Sequence, residues 1–381
     1  MKQQPRRAEV IGGGVGGLTA AAALARQGWS VTLHERDPEI RAFGSGIYLW
    51  SNGLAVLDRL GVHDQVIDGA HYGQAIETRN NHNTTLASIP VNGAGGVKVL
   101  TVLRENLING LVDAGRAYGV EFETGSAAVA VTPEGSVTFE SGRTVSADLV
   151  VVADGINSRL RDGLGLLSRR RSIGQRCARV LIDRAPGLVP DADEANYVEY
   201  MSGKRFLLYT PSSATQVYIA FVCPTDDTSA QGPVLPRNQW ISSFPHLRPL
   251  IEATEGKLRW DEFEQTELRS WSSGKVAVLG DAAHAQPPYL GQGGGCAMTN
   301  AFGLAHAVSH TNDSLAVGLA QWEATERPLI EHTQRFSCRV ARLNNVPNLP
   351  RTALMTVLSK SSALGRSRLR AATSVPTGFS A

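Results

Sequence analysis

The sequence predicts an α/β fold: a Rossmann-like dinucleotide-binding domain carrying an inserted antiparallel β-sheet domain. Three observations predict it. Residues 10–20, Val-Ile-Gly-Gly-Gly-Val-Gly-Gly-Leu-Thr-Ala, read as strand, glycine turn and helix in the register Gly12-x-Gly14-x-x-Gly17. Residues 147–155, Ala-Asp-Leu-Val-Val-Val-Ala-Asp-Gly, hold an apolar run over 149–153 that ends at Asp154-Gly155, as expected of a parallel strand buried on both faces. From about 176 to 265 helical periodicity fades and strand-like runs replace it.

The chain has 381 residues, 42% of them hydrophobic, and a net charge of +2. That length admits two domains around one cleft, and the charge balance gives no basic surface for nucleic acid. Cys177, Cys223, Cys296 and Cys338 are far apart with no CxxC pair. Neither a disulfide framework nor a metal site is expected, and a reducing cytoplasm fits. No stretch reaches the ~20 uninterrupted apolar residues of a membrane span. The N-terminus passes from Lys2, Arg6 and Arg7 into a strand without the apolar run of a signal peptide.

In the first motif Gly12 permits the tight turn, Gly14 lets the backbone approach a pyrophosphate, and Gly17 lets helix pack on strand. Val15 lies in the turn as a candidate cofactor contact, and an alanine-rich helix runs from Leu18 to about Gln27, with Gly28 as its stop. The free N–H groups at the helix start favour phosphate. Residues 30–35 form a strand ending in Glu35, 18 residues beyond Gly17. That is near the ~20-residue offset at which an acid bonds a ribose 2′-hydroxyl. Glu35 would repel a 2′-phosphate, so the site suits FAD or NAD rather than NADP. Arg36 and Arg41 follow as further candidate cofactor contacts.

Residues 41–53 read as a glycine-bearing loop, in which Gly44 and Gly46 allow close backbone approach to a flat ring, with Gly46 and Ile47 as candidate cofactor contacts. A helix then runs from about Asn52 to Leu60. Residues 99–107 read as a strand running into a helix with Arg104 at the junction. Arg104 is either a ligand contact on the nucleotide side of the sheet or a surface cation. Residues 120–146 alternate as a β-meander. In the inserted region, strands are expected at 177–182, 196–201, 206–209 and 216–222. Period two puts Arg205, Leu207 and Tyr209 on one face, and Tyr218, Ala220 and Val222 on one face of their strand. An arginine and tyrosines among apolar residues could line a pocket for a flat anionic ligand, or form the solvent face of an edge sheet. Residues 237–252 read as a helix containing Trp240 and Phe244.

A second informative stretch, residues 275–285, is a strand ending in Gly280-Asp281 and followed by His284. It continues through Gln286-Pro287-Pro288-Tyr289-Leu290 into Gly291-Gln292-Gly293-Gly294-Gly295 and a helix from Ala297 to about Ser309. The prolines hold the segment extended. An acid ahead of an anion-favouring helix start suits a flavin: ribityl hydroxyls for Asp281, and the ring edge for the helix end. His284 is either an acid/base or a structural histidine. From Pro347 the chain turns basic, with Arg366, Arg368 and Arg370. A short helix is expected near 351–363, and the last ten residues are expected to be mobile.

Standing in this order, the three motifs resemble the single-component (group A) flavoprotein aromatic hydroxylases, the para-hydroxybenzoate hydroxylase-like class, over about residues 8–340. The resemblance implies a GR2-type fold with FAD bound non-covalently. The Gly12–Gly17 turn would hold the pyrophosphate, Asp154 would serve FAD and NAD(P)H, and Asp281 would hold the ribityl chain. Arg104 would contact FAD, with Gly280, Pro288, Gly291, Gly293 and Gly294 around it. It also implies FAD segments at 1–72, 99–175 and 269–346, substrate segments at 73–98 and 176–268, and a basic tail at 347–381.

Within that class, residues 6–10, 41–50 and 295–298 resemble the hydroxypyridine-carboxylate oxygenases. Their substrate-contacting arginine pair and tyrosine are matched by Arg179, Arg205 and Tyr218. Trp50, Tyr209, Pro288 and Tyr289 complete the expected substrate site. The implied activity is monooxygenation of an anionic hydroxylated aromatic or N-heteroaromatic ring, using NADH or NADPH and O2 through a flavin C4a-hydroperoxide, in a monomer or homodimer. Hydroxypyridine ring opening, a natural-product tailoring flavin oxidoreductase and a non-catalytic flavin protein are the alternatives.

Overall fold

The computed structural model describes residues 5–41, 45–94, 96–311, 313–343, 345–358 and 361–379. Gly44, expected near the ring, lies outside them. Two sheets organise the chain. The first runs, edge to edge, Ser272–Ser273, Val276–Val278, Leu149–Val152, Arg7–Ile11, Ser30–His34, Glu121–Glu123. Its neighbours are parallel except at Ser272–Ser273. Val150, Val151, Val152 and Val276 are fully buried, as strands covered on both faces require. The helices Val15–Arg26, Arg104–Ala117 and Gly293–His310 pack together around this sheet. Alanines at 20–23 let the first of them lie close.

The second sheet runs Trp260–Leu268, Leu167–Asp183, Gln216–Pro224, Arg205–Pro211, Tyr197–Ser202, Ala75–Asn80, Thr85–Pro90. All neighbours are antiparallel except Tyr197–Ser202 with Ala75–Asn80. The expected antiparallel insert is therefore mixed at one junction, where the hairpin from residues 75–90 joins it. Residues paired across strands share a face. Cys177, Met201, Phe206, Tyr218, Ala220 and Val222 form a core with Phe263 and Tyr289 on one face. Val198, Tyr200, Leu207, Tyr209, Ile219 and Phe221 form another on the opposite face, under Trp240, Phe244 and Leu250.

Further expectations change. Residues 46–50 are not loop: Gly46–Trp50 is a strand, antiparallel to Val99–Leu103. The pairing places Arg104 beside Ser45, whose carbonyl accepts its backbone N–H at 3.2 Å. The helix expected over 237–252 is broken into Arg237–Ser243, the 3-10 turn Pro245–Leu247 and Arg248–Glu252. Phe244 leaves the helical region at φ −136° and ψ 70°, as the residue directly before Pro245 must. The basic tail holds two helices, Asn348–Leu358 and Ser362–Leu369, rather than one.

The end of the chain, through residue 379, is packed rather than mobile. Ala372 is fully buried, the Phe379 ring lies 5.1 Å from that of Phe302, and the Arg59 guanidinium sits 4.8 Å above it. All four cysteines are free and buried. Among the described residues no helix is long and apolar enough to cross a membrane. Truncating the Phe379 ring to alanine should cost about 1–2 kcal/mol, less than a full core deletion because the ring is only half-buried. Thermal unfolding of Phe379→Ala should show a lowered Tm; an unchanged Tm would return the segment to a mobile tail.

Candidate cofactor and substrate site

The first sheet delivers its glycine turn under tight steric limits. Gly12 has φ +110°, and a Cβ there would overlap the Ala153 carbonyl. A Cβ at Gly17 would overlap the Gly12 carbonyl. Gly14 differs: nothing lies within 4 Å of its missing Cβ. It caps the helix Val15–Arg26 in an extended conformation, so that helix end faces open space. Glu35 hangs beside the turn, one carboxylate oxygen accepting the Gly13 N–H at 2.7 Å and the other the Asp37 N–H at 3.0 Å. Arg36 and Arg41 both face Asp37, at 3.9 and 2.7 Å. Asp154 stands across the turn with one carboxylate oxygen buried and unpartnered, and burial raises its pKa.

Further along, Gly280 approaches Gly16 and has φ +63°, with nothing within 4 Å of its missing Cβ. Asp281 begins the short helix Asp281–His284 and is exposed. The Arg104 guanidinium is half-buried and forms no side-chain hydrogen bond or ion pair among the described residues. Desolvation lowers its pKa, Asp281 opposes that and Arg179 reinforces it, so the three charges are neighbours. Gly291 (φ +59°) backs against the Tyr48 side chain and the Trp50 indole nitrogen, each 3.2 Å from its missing Cβ. Gly293 is open, whereas a Cβ on Gly294 would lie 3.0 Å from Ile47. Trp50 Nε1, Gln286 Oε1 and Gln292 Nε2 are buried here with no partner among the described residues. Open glycines and orphaned polar atoms thus mark both ends of this surface, and they fit an extended dinucleotide. His284 takes the structural reading. It is buried, with Nε2 3.4 Å from Asn300 Oδ1 and its ring 5.5 Å from that of Trp271, and burial lowers its pKa.

The second sheet turns one face to these residues. Arg179 lies 3.4 Å from Asp261, with Phe263 5.8 Å from its guanidinium and Tyr218 beside it. Burial pushes the Tyr218 phenol well above its usual value. Tyr48 bonds Thr210 at 2.8 Å. Tyr289 donates to Gln175 at 2.6 Å and meets Phe206 and Phe263 edge-on. Pro288 is exposed beside it.

Arg205 and Tyr209 do not join this group. Thr210 pairs with Tyr218, and Leu208 with Ala220, which puts Arg205, Leu207 and Tyr209 on the opposite face. There Arg205 is held bidentately by Asp227 at 2.7 and 3.1 Å and donates to the Gln239 carbonyl at 2.7 Å. Tyr209 is buried in the outer core. The expected arginine pair is therefore split by the sheet. Strand periodicity gives the faces of each strand, but only cross-strand register gives their relative phase. Sequence reasoning also missed Glu199, which is on the inner face with its side chain 14% exposed. Its one sequence signal is a charge within an otherwise apolar and aromatic strand.

Residues 7–337 match the family model described as "FAD binding domain". A 2-heptyl-3-hydroxy-4(1H)-quinolone synthase of Mycobacteroides abscessus is 48% identical over 364 residues, covering 95% of this chain and 97% of that protein. A Rhodococcus erythropolis protein provisionally given the same name is 55% identical over 372 residues, covering 98% and 97%. Among solved structures, the tetrameric form of 2-methyl-3-hydroxypyridine-5-carboxylic acid oxygenase superposes with a TM-score of 0.87 at 36% identity, covering 98% of both chains. The resemblance seen in the sequence is thus borne out over the whole fold. Because space surrounds Gly14, Gly14→Val should fold with an unchanged Tm yet bind FAD at least about 10-fold more weakly, the valine occupying the approach to the helix N-terminus. Flavin absorbance retained after desalting, at the wild-type level, would contradict this.

Proposed function

The chain belongs to the FAD-binding domain family, and from that premise we propose that it is an FAD-dependent aromatic monooxygenase that hydroxylates a 2-alkyl-4(1H)-quinolone at carbon 3. A 4-quinolone is the keto tautomer of a hydroxylated N-heteroaromatic, so this narrows the class expected from sequence. It also removes the expected anionic group.

The observation that carries the reading is the split arginine pair. A substrate carboxylate would call for free cations, ideally in a bidentate arrangement. Arg205 faces away and is neutralised by Asp227, and Arg179 already has Asp261 beside it. Apart from Glu199 and Thr210, the inner face around them is largely apolar or aromatic, with Met201, Phe206, Leu208 and Phe263. Such a wall favours a neutral ring with an aliphatic chain. The relatives named for making 2-heptyl-3-hydroxy-4(1H)-quinolone support the same substrate. The 36% identity to a hydroxypyridine-carboxylate oxygenase supports ring opening as a second reading.

The residues present fit FAD: the Gly12–Gly17 turn and Glu35 for its adenosine end, Asp154 and Asp281 along its length, and Gly291–Gly294 at its ring. When bound, it supplies dioxygen activation with electrons from NADH or NADPH. The protein's own part is to orient the ring and exclude water. Arg179 and Tyr218 offer donors to the ring oxygen, and Tyr289 and Phe206 wall the chamber.

Two measurements test this. Holoenzyme supplied with NADH or NADPH and a panel of 2-heptyl-4(1H)-quinolone, hydroxypyridine carboxylates and hydroxybenzoates should add one oxygen to the quinolone. Turnover only of a carboxylate, with ring loss, would favour the second reading. Arg179→Met should weaken quinolone binding about 10-fold, the equivalent of about 1.4 kcal/mol. Arg205→Met should leave that affinity unchanged and lower Tm instead, since it strips the partner from Asp227. Equal loss of affinity in both variants would restore the arginine pair.

A further inference from the structure

We propose that Glu199 is a catalytic residue whose carboxylate accepts the ring N–H proton of the heteroaromatic substrate, with Arg368 as the residue that positions and tunes it. This rests on the quinolone reading above and deepens it.

Cross-strand register aligns an acid with a guanidinium on one face of the second sheet. Glu199 pairs with Leu208, Leu208 with Ala220, and Ala220 with Arg179. These four residues form one straight row on the inner face of the sheet. An acid stands at one end, a guanidinium at the other, and two apolar side chains make the floor between them. The row spans three strand spacings, about 14 Å between backbones at ~4.8 Å each. Two polar side chains reaching inward leave room between their ends for a planar ring. A 4-quinolone carries its N–H and its carbonyl at opposite ends of one ring. The row matches that pattern: an acceptor for the N–H at Glu199 and a donor for the carbonyl at Arg179.

Glu199 is built as a poised acceptor rather than as half of a tight ion pair. One of its oxygens accepts the Thr78 hydroxyl at 3.1 Å. The other lies 3.9 Å from Arg368, beyond hydrogen-bond distance. Arg368 comes from the helix Ser362–Leu369, whose Leu369 packs with Trp50, Ile76 and Tyr197 at the edge of the same chamber. Burial raises the Glu199 pKa, and Arg368 and Thr78 pull it down. Tyr48, on the strand Gly46–Trp50, is the other ionisable group whose charge couples to it. Carboxylates placed between burial and one cation serve as bases near neutral pH.

In the step proposed, the substrate N–H bond breaks and an O–H bond forms on Glu199. The bonding pair remains on nitrogen and spreads through the ring to carbon 3 and the 4-oxygen. Nothing is oxidised or reduced in this step; it makes carbon 3 a stronger nucleophile toward the oxygen atom supplied through the cofactor. After that atom is added, carbon 3 loses its hydrogen as a proton to solvent, the new oxygen takes a proton from solvent to become the 3-hydroxyl, nitrogen recovers the proton from Glu199, and the carboxylate is regenerated.

The test uses FAD-loaded enzyme and product formation against pH. Wild-type kcat should rise with pH through the Glu199 titration. Glu199→Gln should keep FAD and bind 2-heptyl-4(1H)-quinolone within about threefold of wild type, but lose about 100-fold in kcat, together with the pH-dependent limb. Glu199→Asp should recover part of the rate. Arg368→Ala removes the cation that lowers the Glu199 pKa, so its limb should move to higher pH; a purely structural latch would lower activity without moving it. Should Glu199→Gln fail to fold, wild-type enzyme with the 1-methyl quinolone still decides: lacking the N–H, it should bind and be hydroxylated slowly, with no such limb. Equal rates and equal pH profiles for the quinolone and its 1-methyl analogue would overturn the role of Glu199 while leaving the hydroxylase reading intact. Failure of wild type to oxygenate the quinolone at all would instead defeat the substrate reading, and this role for Glu199 with it.

Discussion

Three backbones meet at Gly12 more closely than side chains allow. A Cβ on Gly12 would enter the Ala153 carbonyl, and one on Gly17 would enter that of Gly12. The helix Val15–Arg26 can therefore lie against the strand Arg7–Ile11 only because both positions lack side chains. That contact decides where its N-terminus points, where Asp154 stands, and where the Gly280 segment passes over Gly16. The nucleotide surface is a consequence of this packing constraint.

The inner face of the second sheet, the proposed substrate surface, depends on a second constraint, the phase between strands. Thr210 opposite Tyr218 sets which residues of two long strands face inward together. A register one residue different would carry Arg205 into the chamber and reverse the whole face. The observed register assembles the Glu199–Leu208–Ala220–Arg179 row and buries Tyr209 outside it. It also places each of the two arginines near an acid of its own, Asp261 or Asp227. Chamber polarity thus follows from backbone pairing rather than from the number of arginines in the insert.

Much of the fold was legible because its signals are local. The glycine turn, the apolar strand at Leu149–Val152, the strand-to-helix junction at Arg104 and the glycine-rich start of the helix Gly293–His310 each lie within a dozen residues. What was not legible depends on distant pairing. Gly46–Trp50 looks like loop until Val99–Leu103 is beside it. Phe379 looks like tail until Phe302 and Arg59 receive it. Glu199 looks like an ordinary strand charge until register aligns it with Arg179. Its environment is completed by Arg368, 169 positions further along the chain.

Both constraints bear on the proposed reaction, in which one oxygen atom would be added to a quinolone ring lying across the second sheet while the first sheet would hold FAD. Turnover of 2-heptyl-4(1H)-quinolone under oxygen-18 gas, followed by mass spectrometry of the product, tests it most directly. The account predicts one labelled atom in the product, on carbon 3, with the ring intact. An unlabelled hydroxyl derived from water, or two labelled atoms with the ring opened, would contradict it.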